Sequence, residues 1–480
     1  KKGKILNFME INFKNLTLSD IIHMQPYFEN CNWRLSDYSA AFKLMWQKHF
    51  SLDFAYVENC VVFREYYQGR VYFHYPMEIE DGQAERAIDS IEAYCRERNI
   101  RIHYTCVPRE KIAVMIERYG MEMRITNHRR WRDYLYNAED FVLYGGKKFS
   151  GQRNHVNKFK KLYPQYEFIT LNGDDRARMC EFLKKFESRQ LSKGTVMARE
   201  ELEGVYELLP HIDDLKLKVG ALQVDGQIIA LSIGERCGEQ LIIHVEKALT
   251  DFEGAYPTMA QEFAKHFAVD GVVFINREDD SGDAGLRKSK LQYNPVRLVD
   301  KFDIFPRRPI DRINHIPVIL TERLTIKEIT DVNSLEFFRL EFDAERNKYW
   351  GYNWRDHYKG QPTPEYFMQG IREDFEKREE IPMGIFSGNR LVGEVVLHNF
   401  GYRNDCEVGV RLLPEYEGQG FAREAVLGAM NYAFFDLNIE TVLAKCYKQN
   451  VRSRQMLVAS GMRPNGEDET FYYFRKTAAM

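Results

Sequence analysis

The sequence contains no run of 18 apolar residues, so no segment reads as a helix long enough to cross a membrane. Its eight cysteines, from Cys31 to Cys446, are scattered without a C-x-x-C pair. That spacing excludes a zinc framework or a disulfide scaffold. The thiols read as reduced and mostly buried, as in a cytoplasmic protein, and no metal site is expected. Net charge is scarce as well, because 68 basic and 71 acidic residues leave only −3. A chain-wide nucleic-acid footprint is therefore excluded, while a local basic patch stays open. The basic opening Lys1-Lys2-Gly3-Lys4 lacks the apolar stretch of a signal peptide, and Met9 reads equally as a native start with residues 1–8 as a leader.

What is present is ample material for a core: 44% hydrophobic residues, 29% charged and a high 14% aromatic. A length of 480 residues exceeds one ordinary core and suggests about three modules of ~150 residues in mixed α/β layers. The clearest boundary lies at 303–317, where Pro306, Pro309 and Pro317 punctuate a basic stretch and read as a stiff extended linker. Beyond it the patterns predict strand 323–328, a helix over about 332–346, an aromatic loop with Tyr349, Trp350, Tyr352 and Trp354, and a helix over 365–380. Strands 382–386, 391–399 and 406–412 follow, then helix 423–436, strand 440–446, helix 450–460 and a closing strand near 470–475. Residues 10–305 show no linker and no repeat at a fixed period. They do show helical patterns at 81–98 and 176–190 and strand-like runs at 219–224, 228–233 and 240–245.

The most informative segment is Glu417-Gly418-Gln419-Gly420-Phe421-Ala422, between a strand and a helix. Two glycines one residue apart let the backbone approach a ligand closely, and the following helix turns its N-terminal amides toward it, which suits a pyrophosphate. Such a loop alone is weak, since glycine serves many turns. With Glu407-Val408-Gly409-Val410-Arg411-Leu412 upstream and Asn450, Ser453 and Gly461 downstream, the unit resembles the GCN5-related N-acetyltransferase (GNAT) superfamily, in particular its ribosomal-protein-type members. The resemblance implies acetyl-CoA as cofactor, its pyrophosphate held by Glu417, Gly418, Gln419, Gly420, Phe421 and Ala422. It also implies that the backbone at Val408, Val410 and Leu412, with Asn450 and Ser453, holds the pantetheine arm and thioester. Glu417 departs from the family's usual Gln or Arg and sets a negative charge near the phosphates.

A second resemblance covers nearly all of residues 10–305. Arg153-Asn154-His155-Val156-Asn157-Lys158-Phe159, His244-Val245-Glu246-Lys247-Ala248, Gly254-Ala255-Tyr256, Asn276-Arg277-Glu278-Asp279-Asp280 and the run from Gly285 to Pro295 are similar to bacterial proteins related to the phosphatidylglycerol lysyltransferase C-terminal domain. That implies two tandem GNAT-like folds divided near residue 140. The expected domains are then 1–140, 141–305, a linker at 306–317 and an acetyltransferase domain at 318–480, giving three GNAT-like folds in all.

Amide formation from a thioester needs an acceptor for the amine proton, stabilisation of the oxyanion and a proton for the leaving thiolate. Glu407 is the candidate base, against a plain reading as a solvent-facing strand-end charge. Asn450 serves as a helix cap in either reading. The position where the family often keeps a Tyr acid is Leu457 here, so either no side chain supplies the proton or Tyr447 does. Trp350, Trp354 and Tyr352 are candidates for an acceptor pocket, with core packing as the alternative. In the N-terminal region Glu278, Asp279 and Asp280 end an apolar run. Arg287 and Lys290 follow at i and i+3, a constellation for a zwitterionic ligand or for a mutual ion-pair network. The basic stretch of Lys147, Lys148, Arg153, Lys158, Lys160 and Lys161 flanks an apolar stripe at Val156, Phe159 and Tyr163, which suits either a core-facing helix or tRNA phosphates. The expected function is acetyl transfer from acetyl-CoA to a small-molecule or protein amine. The alternatives for residues 10–305 are aminoacyl transfer from aminoacyl-tRNA or a non-catalytic recognition module.

Overall fold

The computed structural model describes residues 11–478 apart from 68, 192–195, 352–353 and 357. Residues 1–8 and Tyr352, singled out above, lie outside the described residues. Two compact units form among the described residues, one from 11–117 with Arg124–Phe305, the other from Arg118–Met123 with 306–478.

The N-terminal unit holds two seven-stranded mixed sheets. The first comprises β1 (Lys14–Asn15), β2 (Asp53–Val57), β3 (Cys60–Tyr67), β4 (Arg70–His74), β5 (Tyr104–Pro108) and β6 (Arg124–Thr126). The second comprises β7 (Asp133–Asn137), β8 (Glu167–Thr170), β9 (Lys218–Val224), β10 (Gln227–Cys237), β11 (Gln240–Ala248), β12 (Phe274–Asn276) and β13 (Arg297–Val299). A last strand, β14 (Lys301–Phe305), returns to the first sheet and inserts between β5 and β6. A cut near residue 140 therefore does not follow the sheets: β7 precedes it and pairs in the second sheet, while β14 follows it and pairs in the first. Strands β9 to β11 are apolar on both faces. Val219, Ala221, Leu231 and Ile233 enter one core, and Leu222, Val224, Ala230 and Leu241 enter another, under helix Ala255–Phe267. Period-two alternation between two buried faces gives the continuous hydrophobic runs seen in the sequence.

The C-terminal unit is one eight-stranded mixed sheet made of β15 (Ile319–Leu320), β16 (Thr325–Lys327), β17 (Glu380–Ser387), β18 (Arg390–His398), β19 (Asp405–Leu412), β20 (Thr441–Tyr447), β21 (Arg463–Glu467) and β22 (Phe471–Thr477), with β22 between β20 and β21. The short edge strands β15 and β21 escaped the sequence reading. The stretch expected to be an extended linker is a correction. Pro309–Arg312 forms a 3-10 turn, Pro306, Pro309 and Pro317 are buried, and Ile310 is fully enclosed in the core of this unit. Apolar surface between the prolines gains more from burial than from standing as a spacer.

One architectural unit occurs three times. Each sheet has a single short parallel pair: β4 with β5, β11 with β12, and β19 with β20. The crossover between partners contains a helix, Gln83–Glu97, Ala255–Phe267 or Phe421–Phe435. Each helix starts from a glycine with left-handed backbone, Gly82 (φ 83°), Gly254 (φ 86°) or Gly420 (φ 82°), a conformation that disfavours any other residue.

Candidate functional site

In the C-terminal unit the parallel ladder ends at Glu407↔Leu443. Strand β19 runs on to Leu412 against β18, and β20 to Tyr447 against β22, so the two strands part and open a wedge. Backbone groups of β19 facing the wedge have no ladder partner among the described residues, which leaves amides available to a ligand. Cys406 and Val408 point into the core with Leu412, and Val410 packs against it, so any ligand role for Val408, Val410 and Leu412 belongs to their backbone.

Below the wedge lies the glycine turn. Gly418 has a left-handed backbone (φ 73°) with no atom within 4 Å of where a Cβ would stand, and the nearest group to that position on Gly420 is Arg323 Nη2 at 3.3 Å. Arg323 donates from Nη1 to the Gln419 carbonyl (3.0 Å) and from Nε to Glu424 (2.7 Å), and Gln419 Nε2 donates to the Glu415 carbonyl (3.0 Å), so the turn is pinned from both sides. The charge of Glu417 is met by Arg452 Nη1 at 3.1 Å, which offsets the family departure noted above. Phe421 packs into the core under Arg323, with Ala422 against its edge. Asn450 Oδ1 accepts the Ser453 amide (3.1 Å) and caps helix Val451–Ala459.

The equivalent turns in the N-terminal unit differ: the Cβ position at Gly82 is open, but an amide of the helix after it is committed, and the turn at Gly254 is filled. At Gly254 the His155 carbonyl and Phe159 occupy the space a ligand would need, and at the helix after Gly82 the Ala84 amide already donates to Glu78 Oε2 (2.9 Å). Val156 and Phe159 of the basic stretch belong to a core face. Lys148 pairs with Asp140, Lys158 with Glu253, Lys160 with Glu262, and Arg153 donates to the carbonyls of Tyr144 and Gly146.

On the open face of β19, Glu407 Oε2 accepts from Asn399 Nδ2 (3.0 Å), and its Oε1 lies 3.7 Å from Lys445 Nζ. The neighbouring His398 pairs with Glu407 in register, and burial lowers its imidazole below the usual range. Tyr447 lies between Tyr349 (5.4 Å) and Phe471 (4.5 Å), both rings tilted against it. Trp350 lies 3.3 Å from the Cβ position of Gly409 and stacks on Arg411 (4.3 Å), which sets it beside the wedge. Trp354 does not join it. Its ring is buried in a core cluster against Phe342 and Phe367, which corrects the pocket assignment. Sequence reasoning missed the network behind Trp350. Buried Arg411 donates to Glu394 (2.9 and 2.6 Å), to Glu341 and to Asn347 Oδ1 (2.6 Å), and these residues come from separate elements that only the fold joins.

The N-terminal unit contains a cavity of about 870 Å³. Its walls include His74 and Thr105, the last pair of one parallel ladder, with Cys106 after them, and Ile243, His244, Arg277 and Glu278 just beyond the other. Of the five charged residues grouped there in the sequence, Glu278, Asp279 and Lys290 line the cavity, and Asp280 and Arg287 do not. Asp280 is fully buried and accepts from Arg287 (2.9 and 2.7 Å), Arg129 (3.0 Å), Tyr134 (2.7 Å) and the Gly282 amide (3.0 Å). Burial opposes its ionisation, but these donors, Arg287 first, outweigh burial and hold the carboxyl far below the usual range. That half of the constellation is an ion-pair network. Lys290 donates to the carbonyls of Arg277 (2.5 Å) and Asp279. Burial pushes Asp279 up to about 6 against the pull of Lys301. Lys301 is itself flanked by Asp37 (2.6 Å) and Asp133 (2.8 Å).

A mixed sheet opened by a parted parallel pair, with a glycine-started helix below it, defines an acyltransferase domain of the GNAT type at the C-terminus. The N-terminal unit builds the same device twice. Residues 323–463 match the family model "Acetyltransferase (GNAT) domain", and residues 29–305 match "Phosphatidylglycerol lysyltransferase, C-terminal". The second match covers more than half of the chain, and the protein belongs to that family. It is similar to the crystal structure of a conserved protein of unknown function from Bacteroides thetaiotaomicron VPI-5482, at 26% identity over 62% of this chain and 100% of that one, with a TM-score of 0.59. Among curated proteins it is similar to "Uncharacterized protein MYCGA3080" of Mycoplasmoides gallisepticum, 25% identical over 36% of this chain and 56% of that protein. It is also similar to "Uncharacterized N-acetyltransferase YnaD" of Bacillus subtilis, 26% identical over 19% of this chain and 54% of that protein. The chain thus spans about half the length of these two curated relatives. No helix among the described residues is long and apolar enough to cross a membrane.

Proposed function

We propose that the C-terminal unit transfers the acetyl group of acetyl-CoA to a primary amine, on a small molecule or a protein. The observation that carries this reading is the contrast among the three glycine-started helices. At Gly254 the space is filled by the His155 carbonyl, and at the Gly82 helix a first-turn amide is already taken by Glu78, whereas at Gly418 and Gly420 the turn is open beside Arg323 and no side chain among the described residues takes the first-turn amides. When bound, the cofactor supplies an activated thioester carbonyl. The chain's own part is to cradle the pyrophosphate with the amides of residues 418–422, beside Arg323. The wedge edge of β19 receives the pantetheine arm and the carbonyl oxygen, and the Asn450-capped helix borders the same arm. Glu407 accepts the proton that the acceptor ammonium must lose before its free amine attacks the thioester carbonyl, directly or through a water, and Tyr447 supplies one to the departing thiolate. Trp350 forms the apolar wall for the acceptor.

Calorimetry of CoA against wild type and Gly420→Val tests the reading. The branched side chain should abolish measurable binding; because the left-handed backbone at Gly420 also strains Val, some loss of melting temperature is expected, and binding is compared at a temperature where both proteins are folded. Equal affinity in two folded proteins would remove this turn as the donor site.

A second reading applies to the N-terminal unit, favoured by the 870 Å³ cavity between its two parted strand pairs. There an aminoacyl ester, such as that on tRNA, would present its amine to Glu278 and Asp279. Failing that, the unit serves as a recognition module for the acceptor.

A further inference from the structure

The cavity of the N-terminal unit has a wall that neither reading uses. Lys43 lies on helix Ala40–Trp46, is 1% exposed, and lines the cavity. Its Nζ is 3.1 Å from His74 Nδ1, and His74 Nε2 is 3.1 Å from Glu65 Oε2. The other lysines of the cavity are already matched: buried Lys301 by Asp37 and Asp133, buried Lys290 by backbone carbonyls, and half-buried Lys247 by Glu201 (2.6 Å). Around Lys43 Nζ no carboxylate stands at ion-pair distance among the described residues. Its remaining neighbours are the rings of Phe63 (4.3 Å) and Tyr38 (5.6 Å). A buried ammonium with one imidazole partner retains unused donor capacity. The carboxylates near it are committed elsewhere, Glu65 to His74 and Asp37 to Lys301 and the Cys106 thiol (3.2 Å).

Beside Lys43 the cavity wall is aromatic. Phe42 to Trp46, Trp46 to Phe50 and Phe50 to Tyr67 follow one another at centroid distances of 6.2, 6.2 and 5.8 Å. Arg70, Arg124 and Arg130 also line the cavity, the last two lying over Phe305 (4.0 Å) and Trp131 (4.7 Å); acidic and basic side chains balance over the cavity as a whole, so the preference for an anion rests on Lys43. We propose that this part of the cavity binds an aromatic carboxylic acid, with the carboxylate on Lys43 Nζ and the ring against Phe42, Trp46, Phe50 and Tyr67. The proposal does not depend on the acetyl-CoA reading. It uses different walls of the cavity from Glu278 and Asp279.

Proton linkage gives the site a signature. Burial pushes the Lys43 ammonium down to about 8, against the opposing pull of Cys106, Asp37 and Glu65 and with a further push from Lys301; His74 adjoins it as well. A bound carboxylate favours the charged form, so binding at pH 8 takes up roughly half a proton and binding at pH 6 almost none. The experiment is calorimetry of the full-length protein with 3-phenylpropionate at both pH values, each in two buffers of different ionisation enthalpy. Lys43→Met should weaken binding at least about tenfold, as expected for loss of a charged hydrogen bond, and abolish the uptake. Lys43→Arg should retain binding but lose the uptake, because a guanidinium stays charged. Melting temperatures accompany each variant, and if Lys43→Met does not fold, the wild-type proton count and Lys43→Arg decide. Absence of binding, or an uptake that persists in Lys43→Arg, overturns the proposal. Binding of inorganic phosphate without 3-phenylpropionate overturns the aromatic part.

Discussion

His244 Nδ1 lies 2.8 Å from Glu278 Oε1, and on the other side of the ring Nε2 stands 3.3 Å from Glu235 Oε2. Glu235 in turn accepts the amides of Ala40 (3.1 Å) and Ala41 (2.9 Å), at the start of the helix that carries Lys43. One imidazole thus ties the end of β12 to the first half of the unit, and it fixes a carboxylate that the sequence marks as a ligand group.

Burial alone would lower the His244 imidazole, but Glu235 and Glu278 outweigh it and hold it up at about 9. A folded-state value above the unfolded ~6.5 gives stability that is fully present below pH 6.5 and is lost as pH rises through 9, on the order of 3 kcal/mol. The stability advantage of wild type over His244→Gln, followed by urea denaturation, should therefore shrink steadily between pH 6.5 and 9.5. A constant difference would mean that the ring is neutral throughout.

Glu407→Gln should lower kcat for amine acetylation roughly 10²-fold near neutral pH if Glu407 is the proton acceptor. The deficit should narrow at high pH, where a lysine-type amine, which ordinarily titrates at ~10.4, deprotonates unaided. Parallel pH–rate profiles for the two proteins would assign the proton to another group, and His398, in register beside Glu407, is then the first candidate.

Arg411→Leu leaves Glu341 and Glu394 buried without their cation and should cost about 3–5 kcal/mol. Burial already raises Glu394 to about 7 against the pull of Arg411, with Glu341 adding to the rise. Without Arg411 both carboxyls gain more by protonation, so the deficit should shrink as pH falls from 7.5 to 5.5. Thermal unfolding across that range measures it, and a deficit independent of pH would refute the uncompensated-charge explanation.

Asp280 and Asp279 are adjacent but should respond in opposite ways. Asp280→Asn weakens several charge-assisted hydrogen bonds and should cost about 2–3 kcal/mol above pH 4. Because the Asp280 carboxyl is held below its unfolded value, that contribution is lost as pH falls toward 2. Asp279→Asn should leave the melting temperature at pH 7 nearly unchanged, since burial already opposes the charge there. Binding of an aminoacyl compound to the N-terminal cavity should fall with it. Equal destabilisation by the two variants would make the whole constellation structural.

The repeat shows why part of this protein was hidden from its sequence. Gly82, Gly254 and Gly420 occupy one structural position, yet their neighbours share no pattern, because the position demands only a left-handed backbone. The same limit explains the misplaced cut near residue 140. β7 and β14 are short strands whose partners lie more than a hundred residues away in sequence, on Phe274–Asn276 and Tyr104–Pro108. Trp350 and Trp354 are likewise four residues apart in one aromatic loop, and only packing sends one to the wedge and the other to the core.

The sequence by itself determined most elements of the C-terminal unit to within a few residues, the edge strands β15 and β21 excepted, together with its glycine turn and the resemblance of both regions to their families. Those features depend on local periodicity and on backbone conformations that glycine alone allows. Tertiary structure alone decided which charges are committed and which face a cavity. Asp280 and Arg287 neutralise each other, whereas Lys43, unremarkable in sequence, is enclosed beside His74 and Glu65 from two other strands. Charge in a protein interior acts through distance and burial, and neither is written in the order of residues along the chain.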